Sequence, residues 1–162
     1  MKIFTYPSEI LRKKSKVISN PKNPEIKDFA MKLFKTMVRE DGLGLAAPQV
    51  GKNIKIIAIN THAGDKIFIN PRIIYKSFFK KESGEEGCLS LPGIYGLVKR
   101  HKKIIVIYTN LDGKFKTIKA KGLMARVMQH EIDHLKGILF TDKIQKFTKG
   151  EEKFKSLKDG QV

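Results

Sequence analysis

The chain has 162 residues, of which 41% are hydrophobic and 30% are charged. These proportions predict one compact domain with an apolar core, and they exclude a disordered or fibrous chain and two large domains. No run approaches 18 uninterrupted apolar residues, and Met1 to Tyr6 contains no apolar signal core. We therefore expect no membrane span, no secretory leader and a cytoplasmic protein.

The net charge is +17, from 33 Lys and Arg against 16 Asp and Glu. Such a balance favours polyanionic surroundings such as RNA. The lysines are spread along the whole chain, however, and a general lysine bias in the proteins of the source organism would produce the same excess of positive charge. Both interpretations stay open at this point.

The first predicted element is a helix that begins near Asn23. Asn23 is suited to the N-cap and Pro24 to the first helical position, and apolar residues recur at helical spacing from Ile26 to Met37. We expect this amphipathic helix to end at Asp41-Gly42, where glycine permits a left-handed residue.

Four β-branched segments bounded by Gly, Asn or Pro are predicted as strands: Ile54 to Asn60, Ile67 to Asn70, Ile104 to Thr109 and Phe115 to Ala120. Leu111 to Lys114 is predicted as the turn of a hairpin between the last two. A second long helix is predicted between Gly122 and Gly137, with an apolar face formed by Leu123, Val127, Met128, Ile132 and Leu135. Together these elements predict an α+β fold, a single compact domain with mainly antiparallel sheets around this second helix.

The strongest local pattern is the HExxH sequence His130-Glu131-Ile132-Asp133-His134 inside the second helix. Residues four apart share a helix face, so both imidazoles can reach one metal ion, while Glu131 can face a water molecule beside it. At this spacing Asp133 faces away from such an ion and is interpreted as a supporting or structural acid. A pair of core histidines without a metal is the alternative.

A catalytic divalent ion usually has three protein ligands and keeps a position for water. Asp142 and the pair Glu151-Glu152, downstream of the helix, have the character of ordinary surface acids. Cys88, flanked by Gly87 in an apolar loop, is the candidate third ligand, although a single cysteine is often only core filler.

A third pattern, Gly42-Leu43-Gly44-Leu45-Ala46-Ala47-Pro48-Gln49, combines small residues that allow close backbone approach with one amide donor. A nucleotide-binding loop is disfavoured because neither a GxGxxG spacing nor a Lys-Ser/Thr ending is present. A plain turn between helix and strand is the simpler alternative.

In this order and at these separations, GLGLAAPQ, EGCLS and QHEIDH resemble the three signature motifs of the peptide deformylase family, bacterial type. The resemblance extends from residue 1 to about 142, which would be the catalytic domain. Residues 143–162 remain as a lysine-rich tail that either forms a short helix or frays. The resemblance implies removal of the formyl group from formylmethionine at the N terminus of nascent polypeptides, with release of formate.

The resemblance also implies roles for individual residues. Cys88, His130 and His134 would hold one divalent ion, with Glu131 as the acid/base residue. The Gln49 side chain and the Leu89 backbone N–H would stabilise the oxyanion. Residues of the same loops and helix would bind the substrate, through backbone groups or around the methionine side chain: Leu43, Gly44, Gly87, Tyr95, Leu123, Arg126 and Val127. Arg126 would offer its aliphatic stem, unless its helix face is solvated.

The family resemblance implies Fe²⁺ in the cell, whereas divalent affinity at such a site favours zinc, so that Zn²⁺, Ni²⁺ or Co²⁺ can occupy purified samples. The implied partners are formylmethionyl nascent peptides and the ribosome, the latter through the basic surface and the C-terminal tail, with no membrane and no specific DNA.

Two rivals remain: an HExxH metallopeptidase that cleaves internal amides, and an RNA- or ribosome-binding module with a structural metal. The second would need a fourth protein ligand, for which His62 and His101, expected in loops, are the candidates.

Overall fold

The computed structural model describes residues 1–60 and 66–160, and this part of the chain forms three α-helices and eight strands. The helices are α1 (Pro24–Arg39), α2 (Gly122–His134) and α3 (Glu151–Lys158). The strands are β1 (Gly44–Ala46), β2 (Ile56–Ile59), β3 (Ile67–Lys76), β4 (Lys81–Gly87), β5 (Tyr95–His101), β6 (Lys103–Thr109), β7 (Phe115–Lys121) and β8 (Ile144–Lys149). Across the described ranges, no helix is both long and apolar enough to cross a membrane.

The strands form two antiparallel sheets, one in the order β1-β2-β3-β6-β7 and one in the order β4-β5-β8. In β2, Ile57 and Ile59 join the apolar cluster under α2, whereas Ile56 and Ala58 join the cluster under α1. Because side chains alternate along a strand, the two helices cover opposite faces of the five-stranded sheet. The expected α+β fold with antiparallel sheets around the HExxH helix is confirmed.

The first helix begins as expected and ends differently. The Asn23 side chain accepts a hydrogen bond from the Glu25 backbone N–H, and Pro24 is the first helical residue. The left-handed residue after the helix is Asp41, with φ 54°, and not Gly42. Asp tolerates this conformation, while Gly42 serves close packing, since a Cβ there would lie 3.1 Å from Leu89 Cδ1.

Several strands differ from those predicted from the local sequence pattern. The predicted hairpin of β6 and β7 is confirmed, and β2 is shorter than expected. The strand β3 continues through Pro71 to Lys76, with a register shift at the proline. The remaining strands β1, β4, β5 and β8 were not predicted. In β4 the sequence KESGEEG has no apolar alternation, and the strand forms because it pairs with β5 along its whole length.

The second helix is three residues shorter than expected, since it ends at His134 and a left-handed Gly137 follows. Met128, Ile132 and Leu135 are in the core as predicted. Leu123 is not, because it lies at the start of the helix, where it lines a cavity and is 62% exposed.

The segment after Asp142 is ordered into β8 and α3. The strand β8 pairs with β5, and Phe147, Phe154 and Leu157 pack on a third apolar cluster that includes Leu91 and Phe140. The tail therefore contributes a strand and apolar contacts to the body of the protein.

Candidate active site

A cavity of about 600 Å³ opens between the start of α2, the loop that leads into β1, and the end of β4. All of the residues proposed from sequence line it except His134, which is buried behind His130. The fold thus brings together three motifs that are separated by about 40 residues each along the chain.

The three candidate metal ligands converge at the back of this cavity. Cys88 Sγ lies 3.3 Å from His134 Nε2, which lies 3.2 Å from His130 Nε2, and the three ligand atoms are all within 4.8 Å of one another. Bonds of about 2.0–2.3 Å in a tetrahedral site place ligand atoms roughly 3.3–3.6 Å apart. The donor set and its spacing therefore fit one divalent ion.

The orientation of His130 is set by Glu86, a residue that the sequence analysis did not select. The carboxylate Oε2 of Glu86 accepts a hydrogen bond of 2.9 Å from His130 Nδ1. Because this carboxylate only accepts, Nδ1 carries the proton, and Nε2 is left to face Cys88 and His134. Partners of this kind hold metal-ligating imidazoles in the correct tautomer and orientation.

Glu86 is in turn held as an anion. Its oxygens accept hydrogen bonds from Nε and Nη2 of Arg100 and from Nη1 of Arg126, at 2.8–2.9 Å. Burial raises the pKa of Glu86, but the bonds from Arg100 and His130 outweigh it and lower the pKa to about 2. The buried pair Arg100 and Asp133 continues the network, and Lys143 also donates to Asp133. Asp133 therefore supports the site from behind, as its helix position indicated.

The electrostatics of the ligand cluster favour a cation at its centre. Burial lowers the pKa of His130, but hydrogen bonds to Cys88 and Glu86 outweigh it and raise the pKa to about 10. The pKa of His134 is lowered by burial and by the neighbouring positive charge. One positive charge beside Cys88 is thus stabilised, either as a proton or as a metal ion in its place.

Glu131 lies beside the cluster and is not part of it. Burial is the main cause that raises its pKa to about 7, and its Oε2 atom has no hydrogen-bond partner in the described part of the chain. A Cβ at Gly44 would lie 2.5 Å from Glu131 Oε1. Gly44 is therefore the residue that lets β1 pass directly against the carboxylate, which explains why the loop needs glycine there.

Two hydrogen-bond donors face the cavity near Cys88. The Gln49 side-chain oxygen accepts from the Ala46 backbone N–H at 2.8 Å, so its Nε2 is turned toward Cys88 Sγ at 3.4 Å and Ser90 Oγ at 3.2 Å. The backbone N–H of Leu89 donates to none of the described residues. The Leu89 N–H is therefore available to a bound molecule, and Gln49 Nε2 faces the same cavity.

The rim of the cavity offers two strand edges and several exposed apolar side chains. The strand β1 is the edge of the five-stranded sheet and β4 is the edge of the three-stranded sheet. Gly44 and Gly87 lie on these edges, and both line the cavity. Leu43 and Leu123 are 51% and 62% exposed, and Val127 and Tyr95 lie beside them.

Arg126 contradicts one of the two expectations for it, that of a solvated helix face. Its guanidinium group is neither solvated nor free to contact a ligand, because it donates to the backbone oxygens of Glu82, Gly84 and Val98 as well as to Glu86. It holds β4 against β5, and only its stem remains for the cavity. The sequence does carry a signal for these contacts, although it was missed. It consists of the two adjacent acids Glu85-Glu86 and an arginine one turn before the HExxH pattern.

Of the two candidate fourth ligands, His101 is not brought to the cluster. His101 ends strand β5 and is not in a loop, and its Nδ1 lies 2.8 Å from the Ser77 backbone oxygen. His62 lies outside the described residues. Among residues 1–60 and 66–160, Cys88, His130 and His134 form the one group of three or more candidate ligands.

Known proteins are similar to this chain in both sequence and fold. A family model described as polypeptide deformylase matches residues 1–150. The peptide deformylase of Thermoanaerobacter pseudethanolicus is 43% identical over 145 residues, which cover 90% of this chain and 89% of that protein. The crystal structure of peptide deformylase from Thermotoga maritima superposes with a TM-score of 0.85 at 37% identity, over 89% of this chain and 97% of that one. The structure from Synechococcus elongatus in complex with actinonin gives 0.86 at 34% identity, over 98% and 84%.

Proposed function

The chain belongs to the polypeptide deformylase family, whose members remove the formyl group from the N terminus of nascent polypeptides, and we propose that the cavity beside α2 carries out this hydrolysis. The observation that carries the proposal is the cluster of Cys88, His130 and His134 with Glu131 at its side. All four of these residues lie within the part of the chain that the structure describes.

The family is metal-dependent, and we assign the ion to Cys88, His130 and His134. A divalent cation bound there polarises the formyl group and makes a water molecule more acidic. Fe²⁺ is proposed as the ion in the cell, with Zn²⁺, Ni²⁺ or Co²⁺ in purified samples, since imidazole and thiolate donors accept all four. Iron-loaded protein should lose activity in air faster than nickel- or cobalt-loaded protein, because a thiolate-bound ferrous centre can oxidise together with Cys88. Equal lifetimes would contradict an iron site with a thiolate ligand.

Glu131 is proposed to move the proton. Its carboxylate takes the proton of the attacking water as the water oxygen bonds to the formyl carbon, and it delivers a proton to the leaving nitrogen as the C–N bond breaks. The products are formate and a free amine. Burial raises the pKa of the Glu131 carboxyl toward the working pH, where a general acid/base is most effective.

Gln49 and Leu89 are proposed to stabilise the formyl oxygen as negative charge develops on it. The Gln49 amide is held in place by Ala46, so that its Nε2 would exchange a contact with Cys88 or Ser90 for the formyl oxygen without a change in orientation. The Leu89 N–H is unpaired within the described residues and gives up no bond. Donors prepared in this way are typically worth about 3 kcal/mol each.

The substrate is proposed to bind as an extended strand between the facing edges of β1 and β4. Backbone groups of Leu43, Gly44 and Gly87 would pair with it, a mode that reads little of the side-chain sequence. The methionine side chain would lie among Tyr95, Leu123, Val127 and the stem of Arg126, which line the same cavity.

The deciding experiment is an anaerobic assay of formate release from formyl-Met-Ala-Ser, with metal analysis of the same sample. Acetyl-Met-Ala-Ser serves as the matched substrate, and an unformylated protein substrate tests cleavage of internal amides. Release of formate alone supports the proposal. Cleavage of internal amides would favour the metallopeptidase, and an inactive protein with a full, tightly held metal would favour a structural site.

We also propose that the protein works in the cytoplasm at the ribosome, through its basic surface and C-terminal tail. Truncation after Asp142 is unsuitable as a test, since it would remove β8 from the sheet that carries Tyr95. The double change Lys155→Gln and Lys158→Gln on α3 keeps the apolar contacts and should weaken co-sedimentation with ribosomes at low salt. Unchanged co-sedimentation would remove the tail from the proposal.

A further inference from the structure

Beside α1, part of one face of the five-stranded sheet is covered by no helix. Along β7, Ile118 and Ala120 pack toward α2, so Phe115, Thr117, Lys119 and Lys121 point the opposite way. The register places Ile105 of β6 opposite Lys119, and Tyr75 of β3 opposite Ile105. We call this surface the outer face; it consists of Tyr75, Lys103, Ile105, Ile107, Phe115, Thr117, Lys119 and Lys121.

The outer face lies beside α1 and is not packed by it. Ile105 and Ile107 are only half-buried and belong to none of the apolar clusters of the described residues, although their neighbours Ile104 and Val106 are fully within the core. A strand of seven residues is about 20 Å long, and three strands span about 10 Å. The active-site cavity lies on the opposite side of the sheet, with α2.

The charge on this surface is of one sign. The segments that form it, 66–81, 101–111 and 113–121, contain no Asp or Glu. Lys103 and Lys121 are direct cross-strand partners, an arrangement that destabilises a sheet by like-charge repulsion. Within residues 1–60 and 66–160, no carboxylate lies within 4.0 Å of Lys103, Lys119 or Lys121. The repulsion is therefore not relieved within the described structure, which points to an anionic partner.

Aromatic rings are interleaved with these cations. Tyr75 and Phe115 are 53% and 70% exposed at two ends of the outer face. Phe78 and Phe79 are more exposed still, with ring centroids 4.8 Å apart, and their loop adjoins the outer face because Ser77 N–H donates to the Lys103 backbone oxygen. Flat rings that alternate with cations over an open sheet match the way in which proteins stack bases and follow a phosphate backbone.

We propose that the outer face binds single-stranded RNA. The lysines contact phosphates, and Tyr75 and Phe115 stack on bases. RNA is favoured over an anionic membrane because the two rings are spread along the sheet and do not converge on one insertion point. This surface is distinct from α3 and from the cavity, so RNA binding does not depend on the hydrolytic function and leaves the cavity open.

The test measures the fluorescence anisotropy of a labelled, unstructured 12-nucleotide RNA with full-length protein between 50 and 200 mM KCl. The variant Lys103→Gln, Lys119→Gln, Lys121→Gln should bind at least about tenfold more weakly at low salt, and its slope of log affinity against log salt should fall by about two. The matched control, Lys14→Gln, Lys27→Gln, Lys35→Gln, removes the same charge from exposed positions outside this surface. It should bind almost as well as the unmodified protein.

The rings are tested separately, because charge removal alone does not show stacking. Tyr75→Ala and Phe115→Ala should each weaken RNA binding at least about fivefold with an unchanged salt slope, since stacking contributes about 1–3 kcal/mol per base. Formate release should be unchanged in all of these variants, which shows that they are folded. Thermal unfolding should occur at no lower temperature in the Lys103, Lys119 and Lys121 variant, because the change removes a like-charge cross-strand pair.

Three results would overturn the proposal. Equal losses in the two lysine triples would mean that binding follows net charge alone. Unchanged binding in both ring variants would remove base stacking. Binding to phosphatidylcholine–phosphatidylserine vesicles that is lost on Phe78→Ser and Phe79→Ser, with RNA binding unaffected by the outer-face changes, would assign the surface to a membrane.

Discussion

Replacing Glu131 by Gln separates proton transfer from every other property of the site. The amide has the size of the carboxylate and fits against Gly44, but it cannot accept the proton of water. Glu131 is not among the three ligand residues, so the metal content should stay near normal.

The size of the effect follows from two properties of Glu131. Loss of a positioned proton-transfer group lowers turnover about 10²- to 10⁴-fold, which corresponds to about 3–5 kcal/mol in the activation free energy. The pKa of Glu131, raised from 4.5 to about 7, represents about 3 kcal/mol against its charged form in the folded protein. A neutral amide escapes this penalty, and that gain offsets the cost of about 1–3 kcal/mol for an unpartnered buried amide donor.

Formate release, metal stoichiometry and the unfolding free energy of the metal-free protein should therefore be measured on the same preparation. Turnover should fall by at least about 100-fold, while the other two quantities change little. A substrate-like hydroxamate, which would chelate the ion through its own oxygens, should still bind. The control is Glu85→Gln, an acid of the same cavity whose Oε1 accepts from Thr148; it should keep most of the turnover. Loss of metal in the Glu131 variant, or turnover like that of the unmodified protein, would refute the assigned role.

Three further changes test a candidate ligand and two residues beside the site. Gly44→Ala places a methyl group against the Glu131 carboxylate, 2.5 Å from Oε1, and should lower turnover about 100-fold with little loss of metal, since displacement of a catalytic group by about 1 Å has such a cost; normal turnover would show that the carboxylate can move freely. Cys88→Ser replaces a thiolate ligand by a neutral hydroxyl, and titration with a chelator should show weaker metal binding in parallel with lost activity; a metal-replete, active variant would exclude Cys88 as a ligand. Arg100→Leu leaves two buried carboxylates without their main cation, so denaturant unfolding should show a loss of about 3–5 kcal/mol, and a change below about 1 kcal/mol would mean that Arg126 and Lys143 suffice.

The helix of the HExxH pattern and its ligand pair were predictable because they are local. Two histidines four residues apart share a face on any α-helix, and the apolar spacing from Met128 to Ile132 turns the opposite face toward the core. The hairpin of β6 and β7 was predictable for the same reason, since its turn and its alternation lie within one stretch of chain.

The residues that hold the metal ligands in position were not predictable in this way. Glu86 lies in a polar strand that has no apolar pattern of its own, and it meets His130 only because β4 pairs with β5 beside α2. The strand β8 likewise forms on an existing sheet, from a lysine-rich tail that was predicted to form a short helix or to fray. A strand whose partner is distant along the chain obtains its hydrogen bonds from tertiary structure, so its own residues carry little signal.

By itself the sequence determined the fold class, the three motifs and the chemical types of the candidate ligands, because each rests on residues that are close along the chain. The tertiary structure decided which groups meet. It placed Cys88 3.3 Å from His134, put Gly44 against Glu131, and enclosed Glu86 between two arginines. The contact between Glu86 and Arg100 joins residues 14 apart in the chain, and the others join residues about 40 to 90 apart. Their distances depend on how two sheets pack around one helix, which no local pattern specifies.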